Sequence, residues 1–253
     1  DVMVEPGIKG TVHIPVILTQ TGLVDEVYNS IEIGAGADIL LVAGCGIHNP
    51  GGELSRHDGF HEIFVRQGAR LRYTEKHYGE GRGTGKRVLN PKTVLVIEKD
   101  ASAELELVQI RGVDDTIRIT EARVEDGGQV RMFERLLTEG TQSARSEVVI
   151  KLMGDGSTAR IVSRSVAQGS SQQVFMPRLI AYRWGRGHIE CDSIIMDRAV
   201  VRSVPEIWAE SSQAELVHEA TIGKIAGEQL MKLMSLGLTK AEAEEAIISG
   251  FLA

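Results

Sequence analysis

The feature that most constrains this chain is a regular succession of short strand-like runs between Val88 and Val204. Runs such as KTVLVIEKD and SEVVIKLMGDG alternate apolar and polar residues with the period of two that half-buried strands show. Clusters such as EDGG, GDGS and QGSS interrupt these runs about once in 14 residues. Evenly spaced strands of this kind predict a mainly β protein, either an antiparallel sandwich or barrel or a solenoid of stacked rungs.

The turn residues favour the solenoid, because Asn-Gly hairpin turns are absent from the sequence. The ends of the chain differ from its middle. TGLVDEVYNSIEIGAG, within residues 1–35, indicates a short helical or mixed N-terminal segment, whereas DILLVAGCGI indicates a buried strand at the start of a core spanning 36–212. Residues 213–253 are predicted to be helical, with one helix ending at Gly237 and a second one opening with Thr239 and Glu242 in capping-box spacing.

Charge and hydropathy exclude several classes of partner. The chain has 28 Lys and Arg against 35 Asp and Glu, a formal charge of -7, and no basic run that would follow a phosphate backbone, so nucleic acid is not expected as a partner. No apolar stretch approaches the ~20 residues needed to span a bilayer, and the N-terminus lacks the features of a signal peptide. We therefore expect a soluble cytoplasmic protein, whose start at Asp1 suggests further residues upstream.

Three further features of the sequence bear on its chemistry. HYGEGRGTGKRVLN lacks the spacing of a phosphate-binding loop and is interpreted as a flexible surface loop, so ATP binding by this chain alone is not expected. His57 and His61, four residues apart, are candidates for metal ligands, but the intervening Asp-Gly-Phe favours solvated loop histidines. Cys45 and Cys191 are too isolated for a disulfide framework, which leaves inert core thiols or reactive ones.

The C-terminal third holds the most informative residues. In GHIECDSIIMD, a strand would direct Cys191 to one face and its neighbours Glu190 and Asp192 to the other, and these acids suggest an edge or interface. His218 and Glu219 precede the predicted helices, where an acid complements the helix dipole without any further function. Cysteine, histidine and glutamate are also the side chains that ligate iron or carry sulfur.

Two stretches resemble a known family. ECDSIIM, followed by VPEIWAESSQAELVHEATIGKIAGEQLMKLMSLGLTKAEAEEAIISGFL, is similar to the C-terminal part of the SufB/SufD family of iron–sulfur cluster assembly proteins. The upstream stretch VAGCGIHNPGGELSRHDGFHEIFVRQGARLRYTEKHYG also resembles this family, so the resemblance covers most of the chain. It implies a right-handed parallel β-helix with a C-terminal helical segment.

The resemblance also implies roles for individual residues. Cys45 matches the SufB cysteine that accepts sulfur from a donor, and Cys191 matches the interface cysteine implicated in cluster assembly. Glu219 matches the adjacent SufB acid, and His218 occupies a histidine position of the family. Together they make the chain more SufB-like than SufD-like. Cys191, His218 and Glu219 are thereby the expected ligands of a transient iron–sulfur cluster.

The implied partners are a SufC-type ABC ATPase docked on the C-terminal helices, a second SufB- or SufD-type chain, and a cysteine desulfurase system as sulfur donor. The chain is then a scaffold rather than an enzyme, passing sulfur from Cys45 to Cys191 past residues such as Glu75, Lys76 and His77. Val217 departs from the family, where an acid precedes the histidine. Two alternatives stay open: a structural SufD-like partner without its own cluster, and a carbohydrate-active β-helix, which the 4% aromatic content disfavours.

Overall fold

A computed structural model describes residues 1–110 and 112–253, which form eighteen strands followed by two helices. In chain order the strands are β1 (Val2–Val4), β2 (Lys9–Leu18), β3 (Val24–Ile33), β4 (Asp38–His48), β5 (Ser55–Val65), β6 (Arg70–Glu80), β7 (Arg87–Leu89), β8 (Lys92–Ile97), β9 (Ser102–Gln109), β10 (Asp115–Val124), β11 (Gln129–Thr138), β12 (Ser143–Leu152), β13 (Ser157–Ala167), β14 (Gln172–Ala181), β15 (Gly185–Ile195), β16 (Val200–Ser203), β17 (Glu206–Ala209) and β18 (Glu215–Gly223). The helices are α1 (Gly227–Ser235) and α2 (Lys240–Phe251).

The strands form two parallel sheets that enclose a lumen. The eight-stranded sheet runs in the order β2-β4-β6-β9-β11-β13-β15-β18. The ten-stranded sheet runs β1-β3-β5-β7-β10-β12-β14-β16, with β8 and β17 continuing the rungs of β7 and β16. Here a rung means one strand of the eight-stranded sheet together with the strand or strands of the other sheet that follow it. Because every neighbour is parallel and lies one rung away, the prediction of a parallel β-helix is confirmed, and the sandwich and barrel are excluded.

The spacing of the turn signals follows from this architecture. Asp115 aligns with Ser143, and Ser143 aligns with Gln172, so a rung takes about 28 residues and contains two turns, one about every 14. One of these turns repeats in the left-handed conformation, with φ of 66° at Gly36 and Gly68 and 63° at Gly127. Their backbone N–H groups donate to the next turn, as from Gly36 to Gln67 (3.0 Å), so the glycines stack in a column.

Apolar side chains fill most of the lumen. The largest fully buried ones include Ile31, Ile63, Leu71, Leu95 and Leu105. Each contributes about 1.5–3 kcal/mol by leaving water, which makes the stacked core the main source of stability. On the outer faces, charged side chains pair between rungs; Arg66, for example, contacts Glu32 at 2.9 Å and Glu98 at 2.7 Å.

The prediction of a helical or mixed N-terminal segment is wrong. Residues 24–33 form β3, which pairs with β1 and β5. Its apolar residues Val24, Val27, Tyr28 and Ile31 happen to match helical spacing, whereas its inward positions include the polar Asp25 and Asn29. Polar residues on the inner face therefore concealed the strand.

The C-terminal segment corresponds only in part to the prediction. His218 and Glu219 lie on strand β18, which pairs with β15, and not at the start of a helix. The helices follow at Gly227, and the predicted capping box is confirmed: the Thr239 side chain accepts from the Glu242 N–H while Glu242 accepts from the Thr239 N–H. Among the described helices, neither has the length and hydropathy required to cross a membrane.

Candidate functional site

A line of buried polar side chains follows the lumen between the two cysteines. We call it the interior polar line and define it as Cys45, Glu75, His77, Arg118, Glu134, Ser146, Ser163 and Cys191. Each member occupies an inward position, and successive members lie on the same or the next rung. In the eight-stranded sheet, β15 lies five strand spacings from β4, so the strands that carry the two cysteines are roughly 24 Å apart. A polar line of this length inside an apolar core is costly unless its groups are paired.

Cys45 lies at the N-terminal end of the line. It is 4% exposed and belongs to a buried apolar cluster that also contains Leu18, Ile47, Leu89 and Val113. Burial, reinforced by the negative charge of Glu75, raises the pKa of its thiol to about 12. The sequence placed this cysteine on a buried strand, which is confirmed by β4. At neutral pH its thiol is therefore protonated and shielded, so reaction with a donor requires both a proton acceptor and access.

An ion cluster occupies the next rungs. On the adjoining strand, Cys45 aligns with His77, whose Nε2 lies 2.9 Å from Glu75. Arg118 crosses the lumen to the same carboxylate, at 2.6 Å, and its other nitrogen lies 3.2 Å from His77 Nδ1. The Tyr73 hydroxyl donates to the second Glu75 oxygen at 2.5 Å. Burial opposes ionisation of Glu75, but Arg118 and His77 outweigh it and hold its pKa well below the usual range.

Glu134 continues the line toward Cys191. Arg118 Nε lies 3.6 Å from Glu134, so one buried guanidinium joins two buried carboxylates. Two hydroxyls, from Ser146 (2.7 Å) and Ser163 (3.1 Å), donate to Glu134. Because Ser163 aligns directly with Cys191 on β15, the polar contacts extend to the second cysteine.

Cys191 borders a narrow interior cavity. It is 2% exposed and belongs to the main apolar core, so the expectation that its acidic neighbours mark an edge is wrong: Glu190 and Asp192 lie on the outer face. Hydroxyls of Ser163, Ser193 and Ser203 line the cavity beside it. Burial raises the pKa of the thiol to about 11, against the opposing influence of the nearby Ser203 hydroxyl.

Cys191 and His218 lie on the inner face of the eight-stranded sheet, whereas Glu219 lies on its outer face. His218 aligns with Ile189, an inward residue two positions from Cys191, and its Nε2 is buried without a partner among the described residues. Glu219 aligns with Glu190 on the outer face, where it lies 3.8 Å from His188 Nε2. β18 forms the last strand of its sheet, so the edge beyond it is unpaired within the described chain.

Three histidines expected in solvated loops are instead buried on strands. His57 (3% exposed) and His61 (4%) face the lumen from β5, and His77 (3%) does so from β6. Lys76, in contrast, is exposed on the outer face and cannot belong to an interior route. Alternation along SRHDGFHEIFV, with His57, Gly59 and His61 in phase with Ile63, was the signal that could have revealed the inward pair.

Within the part of the chain that the structure describes, no three or more His, Cys, Asp or Glu side chains are grouped closely enough to hold a metal ion. What the arrangement provides instead is two thiols at the ends of one polar line, with an imidazole nitrogen that lacks a partner among the described residues on the strand next to that of the second thiol.

Comparison with known proteins adds an independent observation. Residues 17–251 match the family model described as SUF system FeS cluster assembly, SufBD core domain. An Archaeoglobus fulgidus protein named iron-sulfur cluster assembly SufBD family protein is 29% identical over 230 residues, which covers 90% of this chain and 60% of the relative. A Methanothermobacter thermautotrophicus protein of the same name is 28% identical over 234 residues, 89% of this chain and 54% of the relative.

A Pyrococcus horikoshii protein named as a member of the same family is 28% identical over 266 aligned positions, which cover 98% of this chain and 79% of that protein. The chain thus spans about half to four-fifths of the length of these relatives. The match extends over the whole β-helix from β3 onward and includes both helices.

Proposed function

The chain belongs to the SufBD family of the SUF system for iron–sulfur cluster assembly, and from that premise we propose that it is a SufB-like scaffold subunit. Cys45 accepts sulfur, and the sulfur moves through the lumen to Cys191. A transient cluster then forms between two chains with Cys191, His218 and Glu219 as ligands. A SufC-type ABC ATPase supplies the ATP hydrolysis, so this chain itself acts as a scaffold rather than as an enzyme.

The observation that carries the proposal is the interior polar line. Between the strands of the two buried cysteines, contacts of 2.6 to 3.6 Å run from His77 and Glu75 through Arg118 to Glu134. A protein that needed only a stable core would place apolar residues there, because a buried ion pair is rarely more stabilising than well-packed apolar side chains. Polar groups on a sulfur route would instead solvate a charged sulfur species and its protons.

The proposed cluster site requires a second chain. Iron–sulfur clusters are commonly held by four protein ligands, and one chain brings only Cys191 and His218 to the same face near the end of the β-helix. A two-fold axis relating two copies of this chain, or this chain and a paralogue, would double the number of ligands. Exposed apolar side chains near the unpaired edges of the last rungs, Trp208 (62% exposed), Val217 (49%) and Ile222 (44%), suit such a contact.

A conformational change is part of the proposal. Cys191 is buried and Glu219 faces away from it, so a shared set of ligands needs β18 to separate from β15. The ATPase partner would drive this separation when it binds ATP, by changing the angle between the paired scaffolds. Its docking surface is the helical pair, in which α1 exposes Met231 (66%), Met234 (44%) and Leu236 just beyond its end (72%).

The remaining assignments follow from family membership. A cysteine desulfurase system is the sulfur donor, and the cytoplasm, where thiols stay reduced, is the proposed location. The cluster is a product handed to other proteins. Mixed thiolate, imidazole and carboxylate ligation would hold it less firmly than four thiolates, as transfer requires.

Two matched cysteine variants test the proposal. Under anaerobic conditions, ferrous iron and sulfide are added to wild type, Cys191→Ser and Cys45→Ser, and the visible spectrum and the mass of the product are recorded. We expect a sulfur-to-iron charge-transfer band on a dimer in wild type and in Cys45→Ser, because free sulfide bypasses the acceptor, and loss of the band in Cys191→Ser. With a persulfide donor and a non-thiol reductant in place of sulfide, the reductant supplying the two electrons that convert each sulfane sulfur to sulfide, Cys45→Ser should also fail.

A cluster of equal yield in Cys191→Ser would contradict the proposed site. An intact dimer with no band in wild type would favour the second candidate, a structural SufD-like partner. The observation that favours this alternative is the protonated, buried state of both thiols, with pKa values of about 12 and 11.

A further inference from the structure

A buried histidine, His57, and a partly exposed aspartate, Asp25, form a pair on inward positions of the rungs around Cys45. His57 on β5 aligns with Asp25 on β3, and His57 Nδ1 lies 2.7 Å from Asp25 Oδ2. The imidazole is 3% exposed. Because a carboxylate only accepts hydrogen bonds, this contact places a proton on Nδ1 and leaves the lone pair of the neutral ring on Nε2.

The second nitrogen of His57 points along the lumen over Gly59. An atom at the Cβ position of residue 59 would lie 3.1 Å from His57 Nε2 and 3.4 Å from His61 Nε2. Glycine therefore keeps open a small space between two imidazoles. Any other residue there would fill this space and contact the basic nitrogen of His57.

Cys45 faces the lumen near His57 from the other sheet, on β4. β4 and β5 belong to one rung and are joined by the short connection from Asn49 to Leu54, so residues near the end of β4 face those near the start of β5. Cys45 and Leu89 belong to the same buried apolar cluster, and Leu89 is the strand neighbour of His57. The charge of Asp25 also acts on the Cys45 thiol. These relations bring thiol, imidazole and carboxylate to one part of the lumen.

We propose that His57, oriented by Asp25, is the base that takes the proton of Cys45 during sulfur transfer; the proposal assumes that Cys45 is the sulfur acceptor. Once the proton moves to His57 Nε2, the Cys45 thiolate attacks the outer sulfur of a donor persulfide, R–S–SH. A new S–S bond forms at Cys45 and the S–S bond of the donor breaks. The donor leaves as a thiol, R–SH, after taking the proton from His57, so no oxidant or reductant is consumed.

The other titratable groups around these residues are less suited to the role. Those facing Cys45 or His57 are Asp25, His61, Tyr73, Glu75, His77 and Arg118. Both ring nitrogens of His77 are engaged, by Glu75 and by Arg118. The hydrogen-bond partner of His61 within the described residues is the neutral Asn29 amide, at 3.5 Å, and burial lowers the pKa of His61. Among the three, His57 combines a carboxylate on Nδ1, as in catalytic triads, with a second nitrogen that no guanidinium contacts within the described residues, whereas His77 carries Arg118 on its second nitrogen.

The test measures the rate at which Cys45 becomes persulfidated, in Cys191→Ser protein, with glutathione persulfide as the donor and mass spectrometry as the readout, from pH 6 to 10. His57→Asn keeps an amide N–H for Asp25 but has no basic nitrogen. His61→Asn, on the same strand and equally buried, is the matched control. Circular dichroism verifies the fold of each variant.

At pH 7 we expect His57→Asn to react about 10²-fold more slowly than the parent, the lower end of the usual contribution of a general base, and His61→Asn to react at the parent rate. The deficit of His57→Asn should shrink toward pH 10 as the thiol ionises without help. Asp25→Asn should show an intermediate rate. Equal rates for His57→Asn and the parent at pH 7, or equal losses in both histidine variants, would overturn the inference.

The two levels of the proposal fail in different ways. A parent protein that acquires no persulfide at Cys45 at any pH would refute the acceptor role itself. A parent that does acquire it, at a rate unaffected by His57→Asn, would refute only the role of His57.

Discussion

The Arg118 cluster allows a quantitative prediction. Arg118 is 5% exposed and contacts two carboxylates, Glu75 (1% exposed) at 2.6 Å and Glu134 (5%) at 3.6 Å. Arg118→Met keeps the volume of the side chain but leaves both acids without their cation. Removal of one partner from a buried ion pair costs about 3–5 kcal/mol, a large part of the roughly 5–15 kcal/mol by which domains are stable.

Neutral partners should restore the lost stability. In the triple variant that adds Glu75→Gln and Glu134→Gln, the amide oxygen at position 75 can still accept from Tyr73. The amide at position 134 can accept from one of the Ser146 and Ser163 hydroxyls and donate its N–H to the other, and no unpaired charge remains. We expect its free energy of unfolding to return to within about 2 kcal/mol of wild type, since replacing a whole buried ion network is often nearly neutral.

The assay is urea unfolding followed by circular dichroism, at pH 7.5 and pH 5.5. At pH 5.5 the deficit of Arg118→Met should be smaller, because without Arg118 burial raises the pKa of Glu75 and lets it take up a proton. A loss below about 1 kcal/mol for the single variant, or a triple variant no more stable than the single one, would refute the reasoning about uncompensated charge.

Three further results are expected. Burial lowers the pKa of His61 and His77, so below about pH 6.5 the unfolded chain binds more protons than the folded one, and the free energy of unfolding should fall as the pH drops from 7.5 to 5.5. The double variant His61→Gln, His77→Gln should reduce this pH dependence, measured by urea unfolding at both pH values. An unchanged pH dependence would count against the role of these two histidines. Trp208→Ser should weaken self-association in analytical ultracentrifugation while Met3→Ser, at the other end of the β-helix, should not; equal effects would argue against the C-terminal interface. Thr239→Ala should destabilise α2 by about 1 kcal/mol, seen as faster hydrogen exchange there alone; faster exchange throughout the β-helix would contradict an independent cap.

The sequence predicted the parts of this fold that repeat locally. Alternating runs and evenly spaced turns identified the strands, and Thr239 with Glu242 identified the start of the last helix, since both signals depend on neighbours a few residues away. The same reasoning failed where inward residues are polar. Asp25, His57 and His61 lie at inward positions that an apolar pattern does not mark, so the sequence predicts a mixed segment at β3 and loop positions for the histidines.

The two cysteines show where sequence reasoning stops. That Cys191 and Glu190 face opposite sides follows from the period of two within one strand. That Cys191 neighbours Ser163 and shares its face with His218 but not with Glu219 depends on register between rungs. Within one strand, then, the sequence by itself determined which residues share a face. Only the tertiary structure decided which inward residues align, because rungs of unequal length shift the register and a shift of one residue exchanges the two faces.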